Sequence, residues 1–277
     1  MSGKMAFLSL SIGLAVAASS AWAGVPMGPA MPILEKGQWA VGVEYAYGDA
    51  DLTSKGTNVD SIVDGPSERY RDKFTLSGMK TNMIFGRIEY ALCKDWDVFV
   101  RLGVADADAG ISGRDADLDG GFGFSGGLGT RATLYRSGPW QIDGLAQVTW
   151  VNPDDGRYKA GIADDYYVGT AKLDYLHSQF GLAAVYRTET WGLWAGPFFQ
   201  MIDGDLDLDV RYSVGEDTGR SKFSGDVEEK SCFGVSLGAD CELGPNLVGW
   251  LEGQLTGDSW MVGVGVLIRP DRLLGDW

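Results

Sequence analysis

Residues 39–47 read W-A-V-G-V-E-Y-A-Y, and residues 260–268 read W-M-V-G-V-G-V-L-I. In the first, Trp39, Val41, Val43, Tyr45 and Tyr47 alternate with Ala40, Gly42, Glu44 and Ala46; in the second, Trp260, Val262, Val264, Val266 and Ile268 alternate with Met261, Gly263, Gly265 and Leu267. Successive side chains of a strand point to opposite faces, so each stretch is a strand with one bulky apolar face. Phe233, Val235, Leu237 and Ala239 repeat the pattern against Gly234, Ser236, Gly238 and Asp240. A soluble sandwich would turn polar residues outward. Here the second face is mostly Gly, Ala and Ser with isolated charges, which suits a cramped lumen.

Working outward, the period of two marks ten strands, at 38–49, 79–92, 97–106, 122–136, 140–152, 171–187, 191–203, 231–242, 246–256 and 259–269. The connections alternate between long acidic segments and tight turns such as Cys93 to Trp96 and Ser137 to Pro139. The fold class is therefore all-β: an antiparallel, up-and-down transmembrane β-barrel of about ten strands, within a range of about eight to twelve. Trp140 and Trp150 lie on one face ten residues apart. At about 3.3 Å per residue that is about 33 Å along the strand, and a tilt of about 40° lowers it to roughly 25 Å, the height of the apolar band of such barrels.

Residues 1–23 read as an export signal, with Lys4, an apolar run from Met5 to Ala18, and the small-x-small site Ala21-Trp22-Ala23. Residues 24–37, with Pro26, Pro29 and Pro32, read as an extended periplasmic lead-in; 38–269 form the barrel and 270–277 a tail. The formal charge is −15, and loss of the segment holding Lys4 makes it one unit more negative. Such acidity excludes nucleic acid as a partner. The cysteines, Cys93, Cys232 and Cys241, are odd in number and are expected to be unpaired.

The chain resembles the bacterial outer-membrane β-barrel proteins, porin-like in architecture, over nearly all of residues 24–277. Their last strand carries an assembly signal of the form polar-x-Gly-x-x-apolar-x-apolar; Met261, Gly263, Val266 and Ile268 match it, with Met in place of the polar residue. The resemblance implies residence in the outer membrane of a Gram-negative cell envelope. It also implies contact with lipid and lipopolysaccharide, insertion by the barrel-assembly machinery, and a monomer.

The parity opposite the apolar face turns Glu44, Arg87, Glu89, Arg101, Arg131, Asp143, Asp240 and Glu252 inward. Both signs in a narrow lumen form paired networks, because an unpaired buried charge is costly. As a functional element, Arg87, Arg101 and Arg131 on successive strands make a basic wall facing acids, a field that orients ions in a pore. The function expected first is porin-like passage of ions or small solutes. The alternative is a non-conducting structural or surface barrel whose acidic loops bind divalent cations, lipopolysaccharide or other cell-surface partners.

Asp115, Asp117 and Asp119 open a D-x-D-x-D-G calcium pattern. Position twelve falls on Gly126 where a Glu is required, so an EF-hand is unsupported; a looser Ca²⁺ site with Asp106 and Asp108 is the remaining cofactor expectation. Asp203, Asp205, Asp207 and Asp209 form a second ladder on one face. No enzyme activity is expected. His177 is the only histidine, and it faces away from its neighbour Ser178, out of the reach that a nucleophile and base require.

Overall fold

The computed structural model describes residues 25–63, 67–111, 116–162, 165–214, 217–229 and 232–270. The export signal at 1–23 and the tail beyond Pro270 lie outside these residues. The described chain is all strand and turn, with elements β1 (Trp39–Ile62), β2 (Ser67–Cys93), β3 (Trp96–Ala105), β4 (Asp108–Ile111), β5 (Ala116–Gly121), β6 (Gly123–Ser137) and β7 (Trp140–Val151). There follow β8 (Asp154–Ile162), β9 (Asp165–Arg187), β10 (Trp191–Val214), β11 (Asp217–Glu229), β12 (Phe233–Gly244), β13 (Leu247–Thr256) and β14 (Ser259–Ile268).

The ladders are antiparallel and close on themselves. One ring runs β1-β2-β3-β6-β7-β9-β10-β12-β13-β14 and is sealed where Val41 pairs with Ile268 and Ala50 with Ser259. This is the ten-stranded barrel read from the sequence. Its outer face carries the bulky residues of the alternation: Val43, Ile88, Leu128, Leu182, Leu193, Val235 and Leu251 are each at least half exposed. Aromatic side chains rim this belt at both edges, with Trp140 against Tyr186 and Phe124 against Trp150. A closed ring leaves no unpaired backbone edge in hydrocarbon, and its belt is apolar where water would be unfavourable, so the ring spans a membrane.

Above that ring the structure departs from the sequence reading. The long acidic connections are not loops: β1, β2, β9 and β10 continue past the belt, and β4, β5, β8 and β11 fill in between them. The resulting second ring runs β1-β2-β4-β5-β8-β9-β10-β11, sealed by Leu52 opposite Glu229 through Ile62 opposite Gly219. The alternation changes meaning on the way up. In β10 the lipid-facing Leu193 and Met201 sit at odd positions, but higher up Leu206, Leu208 and Val210, at even positions, are buried inside while Asp203, Asp205 and Asp207 face out. In β2 a bulge near Gly78, which adopts φ +57°, rotates the side chains to the same effect. The upper ring is thus an ordinary water-soluble barrel, apolar inside, standing on a membrane barrel that is apolar outside.

An eight-stranded ring is just wide enough to be filled by side chains. Leu52, Phe74, Leu76, Met79, Tyr175, Leu206 and Phe223 belong to one continuous buried cluster, which reaches down into the lower ring through Met83 and Phe85. No disulfide joins Cys93, Cys232 and Cys241.

Candidate functional site

The lumen of the lower ring is where the chain concentrates unusual chemistry, and its occupant is the chain itself. Residues 25–34, expected from sequence to lie in the periplasm, run inside the barrel: Val25, Pro26, Met27, Gly28, Pro29, Ala30, Met31 and Leu34 are all buried. The segment enters from the tight-turn end, where Gly37 N donates to Ala91 O, and Val25 is its innermost described residue. The correction has a local cause. Pro26, Pro29 and Pro32 have no N–H, so three donors that a dry lumen would have to satisfy are absent, and their fixed φ lowers the entropy lost on ordering.

Barrel side chains bind the backbone of this plug. Arg101 Nη1 donates to Pro26 O at 2.6 Å and Arg131 Nη1 to Pro29 O at 2.5 Å. Gln254 Nε2 donates to Val25 O at 3.2 Å. Glu252 Oε2 accepts from Met27 N at 3.0 Å and Gly28 N at 2.9 Å, and Asp97 Oδ2 accepts from Ile33 N at 3.0 Å. Gly28 adopts φ +77°, and a Cβ there would lie 2.5 Å from Arg87 Nη1. Only glycine lets the plug turn against the wall at that point.

All eight inward charges read from the sequence face the lumen and are at most 2% exposed. Six of them meet in one layer around the plug. Glu44 accepts from Arg87 at 3.0 Å and Arg101 at 3.2 Å; Glu89 forms ion pairs with Arg87, Nε to Oε1 at 2.6 Å, and with Arg131. Glu252 joins through the plug. The Phe99 ring lies under the Arg87 guanidinium at 3.7 Å, a buried cation–π contact. Two do not join: Asp240 pairs with Arg187 at 2.5 Å, and Asp143 has no ion pair among the described residues. The arginines do form a wall on β2, β3 and β6, and Glu44 and Glu89 pair with it from within.

Sequence reasoning did not foresee the uncharged members. Gln147, Gln179, Gln200 and Gln254 are buried and chained together: Gln147 donates to Gln179, which donates to Gln254 at 3.0 Å and Gln200 at 3.3 Å. Thr149 completes the set, accepting from Arg101 Nη2 at 2.5 Å. Their inward parity was legible, but the absence of charge hid them. His177 Nε2 lies 3.2 Å from Gln200 Oε1 within this chain. Ser178 faces outward, and the two do not form a catalytic pair.

The external acids are differently placed. Asp119 is exposed, Asp117 contributes a backbone pairing to Gly110, and Asp115 lies outside the described residues. Asp106 accepts from Asn82 N, and Asp108 accepts from Gly120 N at 3.1 Å. Burial raises the Asp108 carboxyl pKa, against the Gly120 hydrogen bond that lowers it. These acids are occupied as local acceptors, and among the described residues no three His, Cys, Asp or Glu side chains converge as a metal site. Asp203, Asp205 and Asp207 do line one outer face, and Asp205 stands directly between Asp174 and Asp226 on the neighbouring strands.

A closed antiparallel ring with an apolar outer belt, two aromatic rims and a polar, filled lumen defines an outer-membrane β-barrel, and the outer membrane is where this protein resides. No protein-family model matches the chain, and no curated protein is similar to it in sequence. Among solved structures it is similar to the outer membrane protein OprG from Pseudomonas aeruginosa, with 14% identity over 85% of this chain and 97% of that one and a TM-score of 0.41. It is similar also to the outer membrane protease OmpT from Escherichia coli, with 11% identity over 82% and 94% and a TM-score of 0.39. A third is the translocator domain of the autotransporter NalP from Neisseria meningitidis, with 13% identity over 82% and 88% and a TM-score of 0.38.

Proposed function

We propose that the protein is a non-conducting surface barrel, sealed by its own N-terminal segment, and not an enzyme. The observation that carries this reading is the buried polar layer packed around the plug across the lumen. Arg101, Arg131, Gln179 and Gln200 are 0% exposed, and Glu252 and Gln254 at most 2%, so the wall packs closely on the plug there. The apolar filling of the upper ring adds a second seal. What is left to meet other molecules is the outer wall of the upper ring. There the directly opposed carboxylates Asp174, Asp205 and Asp226 repel one another, and divalent cations bridging to lipopolysaccharide phosphates relieve that repulsion.

Porin-like passage is the second reading, and one observation favours it: the plug is held by hydrogen bonds to its backbone and, among the described residues, joins the barrel wall at Gly37 and Gln38. Withdrawal toward the periplasm would uncover a charged wall. Planar-bilayer recording of refolded, heat-modifiable protein decides between the two. The sealed barrel gives a quiet bilayer, and a variant lacking residues 25–34 gives discrete steps. Steps of equal size from the intact and the shortened chain would overturn the sealed reading in favour of the pore.

A further inference from the structure

One face of the upper ring carries positive charge that the chain does not neutralise. On the outer side of β2, Arg69, Arg71 and Lys73 are all exposed and stand two residues apart, about 6.6 Å per step. The acids next to them in sequence, Glu68 and Asp72, fall on the opposite parity. Pairing with β1 sets Arg69 opposite Val59, Arg71 opposite Thr57 and Lys73 opposite Lys55; β1 in turn sets Val59 opposite Lys222 and Thr57 opposite Ser224 on β11. Like charges directly opposite one another, as at Lys55 and Lys73, are unfavourable. The neighbouring acids are committed elsewhere: Lys55 has Asp226 opposite it and pairs with Glu228, and Asp209 pairs with Arg220 and Lys222. Arg69, Arg71 and Lys73 have no ion-pair partner among the described residues. The chain has 38 acids to 23 lysines and arginines, so a stripe of three cations that draws none of those acids is open to an external anion.

Beside this stripe the wall is hollowed. Thr57, Val59 and Ser224 are short, and with Arg69 and Lys222 they line an outer groove of about 340 Å³. Asp207 and Asp209 close it on the β10 side, but each stands opposite a cation of a neighbouring strand, Lys172 and Lys222 respectively. The groove therefore offers hydroxyls on its floor and surplus positive charge at its β2 edge. A phosphorylated sugar needs that combination, with guanidinium forks for the phosphate oxygens and hydroxyl partners for the ring. Height selects the source of the sugar. Counted from Leu52, where the second ring begins, Lys55 to Val59 lie about 8–18 Å above the apolar belt, at about 3.3 Å per residue and a tilt of about 40°. That is the level of the sugars attached to the lipid of the outer leaflet, below the hairpin tips that a second cell would touch first.

We propose that the β11–β1–β2 face binds the phosphorylated core sugars of lipopolysaccharide directly, without a bridging metal, through Arg69, Arg71 and Lys73. The inference rests on the surface-barrel reading in taking the outer wall of the upper ring as the contact surface. It adds to the metal bridges at Asp174, Asp205 and Asp226 a second contact of opposite charge, so that the ring engages the surrounding sugars on two sides by two chemistries.

The test uses the full protein purified from outer membranes, in detergent with EDTA. It is titrated calorimetrically with the core oligosaccharide released from lipopolysaccharide by mild acid. The expected result is binding that persists in EDTA, weakens in high salt, and falls about tenfold or more when the sugar phosphates are removed. In the triple variant Arg69→Gln, Arg71→Gln, Lys73→Gln the affinity should drop roughly a hundredfold, about fivefold for each cation. Arg157→Gln with Lys159→Gln, exposed on β8, should leave it unchanged. The dephosphorylated sugar keeps the test decisive if the triple variant loses its heat-modifiable fold. Equal binding of the dephosphorylated sugar, or unchanged binding by the folded triple variant, overturns this inference. So does tighter binding of a sulfated oligosaccharide of equal charge, which would assign the face to a glycan from another cell. Binding that EDTA abolishes overturns it as well and leaves the surface barrel with its metal bridges. Conduction by the intact protein in bilayers, with the sugar still bound in EDTA, overturns the sealed barrel alone.

Discussion

At the scale of single residues, Gly28 and Arg131 show how much of the lumen depends on one side chain. Gly28 sits at positive φ with the Arg87 guanidinium where its Cβ would be. Gly28→Ala therefore adds a left-handed backbone cost of about 1–2 kcal/mol to a collision with a group that cannot move without losing Glu44. The expected outcome is release of the plug, read in planar bilayers as conducting steps from an otherwise silent protein. Arg131 joins Glu89, Asp97 and Pro29 O. Arg131→Ala leaves Asp97 buried without its ion-pair partner and Glu89 with Arg87 alone, and removing one side of a buried pair costs about 3–5 kcal/mol. Urea unfolding from lipid vesicles should show that loss, whereas Arg131→Met with Glu89→Leu should recover much of it.

Among the elements, β10 crosses two solvents and changes the rule of its alternation between them. Leu206 is 0% exposed, so Leu206→Ala should cost about 2–5 kcal/mol. The effect should be confined to the upper ring: amides of β10 and β11 above Asp203 exchange faster in hydrogen–deuterium exchange, while heat modifiability of the lower ring is unchanged. The β10–β11 hairpin also has a pH dependence. Hydrogen bonds from Arg220, with the charges of Arg220 and Lys222, hold the Asp209 carboxyl below its usual pKa. A carboxylate depressed in the folded state contributes stability that is complete above the unfolded value, about 3.9, and is lost as pH falls through the lower folded value. Pepsin nicking between Asp203 and Glu228 should thus begin only once the pH has fallen below the usual carboxylate range, and Arg220→Ala should move its onset upward.

The alternation of β1, β10 and β14 within the membrane was plain from the sequence, because lipid demands a bulky residue at every second position. The upper parts of β9 (165–170) and β10 (204–214) were not read as strands. In β10 the buried Leu206 and Leu208 follow the parity opposite to the lipid-facing residues below them, so a search for one continuous greasy face stops at Asp203. The plug was hidden for another reason: ten residues rich in proline have no period, and only the donors and acceptors of distant strands show that they belong inside. The inward charges were legible by parity, but their pairing was not, since it is set by which strands adjoin.

For the whole molecule, the two rings divide the work of stability. The lower ring is held by lipid outside and by hydrogen bonds and ion pairs within; the upper one by an apolar core of ordinary kind. Dissolving the membrane in detergent should therefore leave the upper ring's near-ultraviolet circular dichroism from Phe74, Phe223 and Tyr175 intact up to a transition of its own. A single coincident transition for both rings would show instead that they unfold as one unit.

The unbroken pairing of β1 with β2, from Trp39 opposite Tyr90 up to Ser61 opposite Ser67 with one bulge, has a mechanical consequence. The roughly ten residues of β1 above the belt, at about 3.3 Å each and inclined by about 40°, raise their tip some 25 Å above the bilayer. A tug on that tip loads the cross-strand hydrogen bonds in shear along their whole length, many at once, and not one after another as in peeling. The molecule is therefore built as a stiff mast: whatever catches its summit pulls on the membrane anchor itself, with little slack between.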